Sequence, residues 1–154
     1  MDKVFSQNDE RILNLNFPAE PQTISETLEM RGHKVNVTIN ITSIDSGIYA
    51  LFDLELGELE ELISQESGAF FNGIVTSIIN DLGAEVGDFT DFAYKGYPGN
   101  DFNIVSPNSK PEENITSKGK TLLVNNRAYI WFAISKESES LTTLNQFINS
   151  YSLK

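Results

Sequence analysis

The feature that most constrains this chain is a pair of period-two runs on either side of a turn signal. In Lys34 to Thr42, Val35, Val37, Ile39 and Ile41 alternate with Lys34, Asn36, Thr38, Asn40 and Thr42. In Ile48 to Leu56, Ile48, Ala50, Phe52, Leu54 and Leu56 alternate with Tyr49, Leu51, Asp53 and Glu55. Alternation sends successive side chains to opposite faces of a strand, whereas a helix needs apolar residues three and four apart. Asp45-Ser46-Gly47 between the runs supplies turn residues, with Gly47 free to take a positive φ, so the pair reads as an antiparallel hairpin. Its first strand has one wet face. The second carries Tyr49 and Leu51 among its outward residues, which implies a cover over part of that face as well.

The rest of the chain supplies partners for this hairpin. Arg11 to Phe17 alternates until Pro18 to Pro21 stops it. Thr23 to Met30 places Ile24, Leu28 and Met30 on one side and leads through a predicted turn at Arg31-Gly32-His33. From Glu58 the period changes: Leu59, Leu62, Ile63, Phe70, Ile74, Ile78 and Leu82 recur at helical spacings. Glu58, Glu60 and Glu61 suit the start of a helix and Gly83 its C′ position, which predicts a long helix near 58–83. Gly68 and Gly73 each cost that helix about 1 kcal/mol relative to Ala, so they imply close packing or a break. Gly96-Tyr97-Pro98-Gly99 reads as a turn or bulge, and Ser106 to Ser117 as an exposed loop. Thr121 to Val124 and Arg127 to Ile134 flank a hairpin turn at Asn125-Asn126, the second run being a central strand covered on both faces. Leu141, Leu144, Phe147 and Ile148 form the stripe of a C-terminal helix near 140–150, with Ser140 as its N-cap.

These elements predict one α+β domain over residues 1–154, with 1–10 as a flexible tail. Its centre is an antiparallel sheet of about six or seven strands flanked by two main helices. At 154 residues a domain buries roughly 68–70% of its unfolded surface, enough for a core that needs no staples. No run of about 18 apolar residues is present to form a transmembrane helix.

Charge and composition narrow the chemistry. With 11 Lys and Arg against 22 Asp and Glu, the net charge of −11 repels phosphate backbones, so nucleic acid is not an expected partner. Zero cysteines exclude disulfides, thiolate zinc sites and thiol nucleophiles. His33 is the one histidine, so no histidine-dependent triad can be assembled away from it and no paired-histidine zinc signature exists, and in a predicted turn it reads as an exposed polar residue. The carboxylate groups Glu55, Glu58, Glu60, Glu61 and Asp81, Glu85, Asp88, Asp91 lack EF-hand spacing and read as solvated acidic faces. Asn36, Asn40 and Asn114 begin Asn-x-Thr triplets, read as ordinary strand and loop polarity. The aromatic group Tyr94, Tyr97, Phe102, Tyr129 and Trp131 reads first as core, and with Asn100 and Arg127 it supplies a candidate contact surface of Tyr94, Tyr97, Asn100, Arg127 and Tyr129.

Four segments resemble a known group of sequences. Phe17-Pro18-Ala19-Glu20-Pro21 resembles an "FPGxP" opening and Lys95 to Phe102 a "GYPGREF" segment. Leu123 to Tyr129 resembles a "YLVGNRLY" hairpin and Phe147 to Tyr151 a terminal "FLDSF". Together they are similar to uncharacterised bacterial, especially cyanobacterial and planctomycete, proteins related to the PsbP extrinsic subunit and the Mog import factor. The resemblance implies a PsbP/Mog-like α/β/α sandwich and a non-catalytic accessory or protein-binding domain; no cofactor is expected, and a monomer is favoured over an oligomer. Asn100 and Asn125 stand where Arg and Gly are commoner in that group. A site outside the cytoplasm is favoured over a cytoplasmic one, the alternative function being a small-ligand or divalent-cation binding module at an acidic edge.

Overall fold

The computed structural model describes residues 13–30, 32–45, 47–56, 69–105, 117–125, 127–135 and 141–153. The expected tail at 1–10, the helix residues 58–68 with Glu58, Glu60 and Glu61, most of the loop with Asn114, the Asn126 turn position and the Ser140 cap lie outside these residues.

The strands are β1 (Leu13–Asn14), β2 (Gln22–Met30), β3 (His33–Ile44), β4 (Gly47–Glu55), β5 (Glu85–Tyr94), β6 (Tyr97–Val105), β7 (Ser117–Val124), β8 (Arg127–Ser135) and β9 (Ser152–Leu153). The helices are α1 (Ala69–Asp81), between β4 and β5, and α2 (Leu141–Ile148), between β8 and β9. Seven strands form one sheet in the order β2-β3-β4-β8-β7-β6-β5, with every neighbouring pair antiparallel. Two meanders therefore meet where β4 pairs with β8. β1 and β9 pair separately, Leu13 opposite Leu153.

This corrects the expected α/β/α sandwich. The helices have 13 and 8 residues, while the seven main strands run from 8 to 12 residues each, so the described fold is sheet-dominated. The physical reason is that, among the described residues, α1 buries only Ile74, Val75 and Ile79 on one face, and on the other Leu13 of β1 and Leu153 of β9 share the cover with α2.

On the first face, Ile74, Val75 and Ile79 of α1 are buried with Val35, Leu54, Phe102, Ile104, Ile130 and Phe132. The buried stripe of α1 is thus 74, 75 and 79. Leu82, expected on that stripe, is 42% exposed because it lies past the end of the helix. The stop is a Schellman motif: Gly83 takes φ +85°, its N–H donates to Asn80, and the Ala84 N–H donates to the Ile79 carbonyl. Gly83 therefore fills the C′ role that the sequence implied.

On the second face, Leu144, Phe147 and Ile148 of α2 pack with Tyr49, Leu51, Leu122, Tyr129, Trp131, Leu13 and Leu153. This is the cover that Tyr49 and Leu51 required. Trp131, fully buried on the central strand β8, donates its indole N–H to the Ile148 carbonyl at 3.1 Å, satisfying a polar group that burial would otherwise penalise. Each fully buried Leu or Ile of this kind contributes about 1.5–3 kcal/mol of transfer free energy.

Candidate functional site

The five residues of the expected contact surface do not come together. Tyr94 and Tyr97 form the last ladder pair of the β5–β6 hairpin, around Lys95 at φ +53° and Gly96 at φ +86°. Two consecutive positive φ values are those of a type I′ turn, whose twist matches the flanking strands. The turn is thus Lys95-Gly96, earlier than the Gly96 to Gly99 expected, and Pro98 and Gly99 lie inside β6. Pairing of β6 with β7 begins only at Gly99, so the missing N–H of Pro98 costs that ladder little. Tyr129 is 1% exposed and belongs to the core. Asn100 points to the first face, where its side-chain amide is hydrogen-bonded at 3.0 Å to that of Asn72 on α1, and its backbone N–H donates to Thr121.

Tyr94 and Tyr97 are half-buried against the second cluster. The Tyr94 ring meets Tyr151 edge-on at 4.9 Å, and Tyr151 also contacts Phe92 and Trp131. Lys120, ion-paired with Asp101, lies 4.2 Å from the Phe92 ring centre. These aromatics hold the end of α2 onto the sheet.

Arg127 belongs to a different group. Its guanidinium donates to Asp53 at 2.8 Å across the β4–β8 ladder and lies 3.9 Å from Glu55. Burial pushes the Asp53 carboxyl above its ordinary value, with Arg127 pulling in the opposite direction. Burial works to lower Arg127, but the charge and hydrogen bond of Asp53 leave it above its ordinary value. The Tyr129 phenol is pushed up to about 12, by burial first and by the Asp53 charge second.

Beyond this group the second face of β2 and β3 is an open polar shelf. Thr23 donates to Asn40 at 2.7 Å and Thr27 to Asn36 at 3.2 Å, so two of the Asn-x-Thr asparagines are cross-strand acceptors. At one end of the shelf the 15–21 segment crosses the sheet. It is held by the Thr42 hydroxyl donating to the Ala19 carbonyl and the Asn16 N–H donating to Ser150 Oγ. An open cleft of about 620 Å³ lies there, lined by Leu13 to Phe17, Ala19, Glu20, Pro21, Asn40 and Leu51.

The chain matches no family model, no curated protein and no solved structure.

The two outer strands of the sheet differ. β5 carries an irregularity between Val86 and Phe89, at Gly87-Asp88, which interrupts its pairing, and a bulge of this kind blunts an edge. β2 pairs without interruption from Gln22 to Met30 and contains no Pro or Lys. Its side chains from Gln22 to Thr27 are all exposed, Ile24 by 44%. A long, regular edge that no other described strand covers presents unpaired backbone groups and is a template for another strand. Sequence reading missed this site, since the position of a strand within the sheet is not encoded in its own pattern. The available signal was the absence of Pro and Lys from an alternating run.

Other candidates are placed as follows. His33 opens β3 opposite Met30 rather than lying in the turn. Among the described residues no three of His, Asp and Glu stand close enough to hold a metal ion. No helix of the described residues is long and apolar enough to cross a membrane.

Proposed function

We propose that this chain is a non-catalytic accessory domain that binds a partner protein, acting outside the cytoplasm. The observation that carries the reading is the β2 edge, which no other described strand pairs, on a sheet whose other edge is blunted. Natural proteins protect edges against unwanted pairing, so a nine-residue edge strand that no other described strand covers favours a binding role. The resemblance of the Lys95 to Phe102 and Leu123 to Tyr129 segments to PsbP-related sequences points to the same class of role. The test is selection of random extended peptides against the full chain, followed by mapping of the bound site through hydrogen exchange of the β2 amides. Selected peptides that protect β2 support the reading, and a selection yielding no β2 binder sinks it.

A second reading attaches to the cleft beside Asn40, whose lining divides between apolar Leu13, Leu15, Phe17 and Leu51 and polar Asn14, Asn16, Glu20 and Asn40 and suits a small polar ligand. Isothermal titration of a fragment set, repeated with Asn40→Ala, separates it from the first, because peptide pairing on β2 leaves the cleft free.

A further inference from the structure

We infer that the segment received by β2 is a cationic strand of a partner protein, with a Lys or Arg between two apolar residues two positions away on either side. The inference rests on the reading of β2 as a binding edge and adds the chemistry of what binds.

The backbone decides which groups are available. Met30 and His33 are the ladder pair around a two-residue loop, so that pair is hydrogen-bonded and every second pair with it. Thr23, Ser25, Thr27 and Glu29 therefore turn their N–H and C=O groups away from β3, toward an incoming strand. The side chains decide its composition. Ile24, Glu26 and Leu28 share the first face, and Ser25 and Thr27 share the second. Ile24 is exposed and Leu28 half-buried, each continuing the apolar surface of Ile39 and Val35 to which they are registered. An incoming strand thus gains by placing apolar residues beside Ile24 and Leu28 and hydroxyl residues beside Ser25 and Thr27.

Glu26 sets the centre. It is exposed and faces Val37 across the ladder, while Lys34 is registered against Glu29. A residue added opposite Glu26 meets a carboxylate, and opposite charges across strands stabilise pairing where like charges oppose it. The net charge of −11 draws the same class of partner from a distance and repels a second copy. The motif is apolar, hydroxyl, basic, hydroxyl, apolar. It is symmetric about Glu26, so it fits a parallel or an antiparallel approach.

The experiment uses the full chain and two labelled peptides built on Val-Thr-Lys-Thr-Val and Val-Thr-Glu-Thr-Val, read by fluorescence anisotropy. The Lys peptide binds more tightly than the Glu peptide by at least about ten-fold, with the gap narrowing as salt is raised. Ser25→Pro removes an outward N–H without touching the β3 ladder and abolishes binding, while Glu26→Lys keeps the fold and reverses the preference. A folded Ser25→Pro chain is recognised by an unchanged urea midpoint, and Glu26→Lys decides alone if that variant does not fold. Equal binding of both peptides, lost in Ser25→Pro, overturns the charge assignment and leaves the edge reading standing. Binding of the Lys peptide unchanged in both variants places it elsewhere and overturns the inference. A dimer in sedimentation that Ser25→Pro dissolves makes a second copy the occupant and overturns it as well. Failure of every peptide to bind sinks the edge reading itself.

Discussion

Gly119→Ala is expected to be among the more damaging single-methyl additions in this chain. Gly119 lies on β7 between Phe102 of β6 and Phe132 of β8, on the face that α1 covers. A Cβ there would stand 2.7 Å from the Phe132 Cβ and 2.7 Å from the Trp131 carbonyl oxygen, and closer still to the Phe102 ring. Ordinary contact begins at 3.4 Å, so the gap to open is 3.4 − 2.7 = 0.7 Å. Phe102 can tilt, but the other two atoms are fixed in the central strand, whose residues from Ala128 to Ala133 are buried throughout. Overpacking of this kind costs about 1–3 kcal/mol, and the anchored neighbours place Gly119→Ala near the upper end. At about 3 kcal/mol the melting temperature falls by roughly 6–12 °C for a chain of this length. Gly87→Ala is the control, because its nearest neighbour would be the Asn103 Cβ at 3.4 Å. Its expected change is between zero and a gain of about 1 kcal/mol from lost unfolded-state entropy. Urea unfolding followed by the fluorescence of the single tryptophan, Trp131, which is fully buried, measures both. Equal midpoints for Gly119→Ala and the parent chain, or an equal loss in Gly87→Ala, would refute the close-approach argument.

Arg127→Met leaves the Asp53 carboxylate half-buried without its cation and lowers stability at neutral pH by about 1–2 kcal/mol, the partial exposure of both groups limiting the loss. The folded pKa of Asp53 is already raised, so its charged form is penalised above that pKa; the deficit shrinks as pH falls through the raised range toward the unfolded value. Urea midpoints measured from neutral pH down to about pH 4 test this, and a constant deficit contradicts it. Tyr129 stays neutral in the fold up to about 12 while the unfolded phenol ionises near 10, so this group's share of stability is lost as pH rises between the two. Ultraviolet titration of Tyr129→Phe should lack one late-ionising phenol. Phe147→Ala empties a site packed 4.9 Å from Phe17 and 5.4 Å from Tyr49, and is expected to cost about 3–5 kcal/mol in the same urea assay. A loss below about 1 kcal/mol would mean that α2 does not depend on this anchor.

Much of the local structure was legible because it depends on neighbours in sequence. The alternation of Val35 to Ile41 and of Ile48 to Leu56 produced β3 and β4, and Leu141 to Ile148 produced α2. Gly83 marked the end of α1, since a C′ residue at positive φ favours Gly over any other type. The Lys95-Gly96 turn was misplaced because Pro98-Gly99 is a strong turn signal by itself. Its partner strand β5 lies upstream, and the pairing of Tyr94 with Tyr97 selected the two-residue loop. The candidate contact surface divides for a related reason. Tyr94, Tyr97, Asn100, Arg127 and Tyr129 were grouped by residue type, whereas strand parity sends Asn100 to one face and the others to the opposite face.

By itself, then, the sequence determined β3, β4 and β8, the stripe of α2, the Gly83 end of α1 and the acidic charge, because periodicity and turn chemistry act over a few residues. Tertiary structure alone decided that β4 joins β8, that the described fold is sheet-dominated, and that β2 rather than β5 is the uninterrupted outer strand among the described residues. Those outcomes depend on which strands pair across long separations, and a strand carries the same alternating pattern whether its outer neighbour is another strand or water.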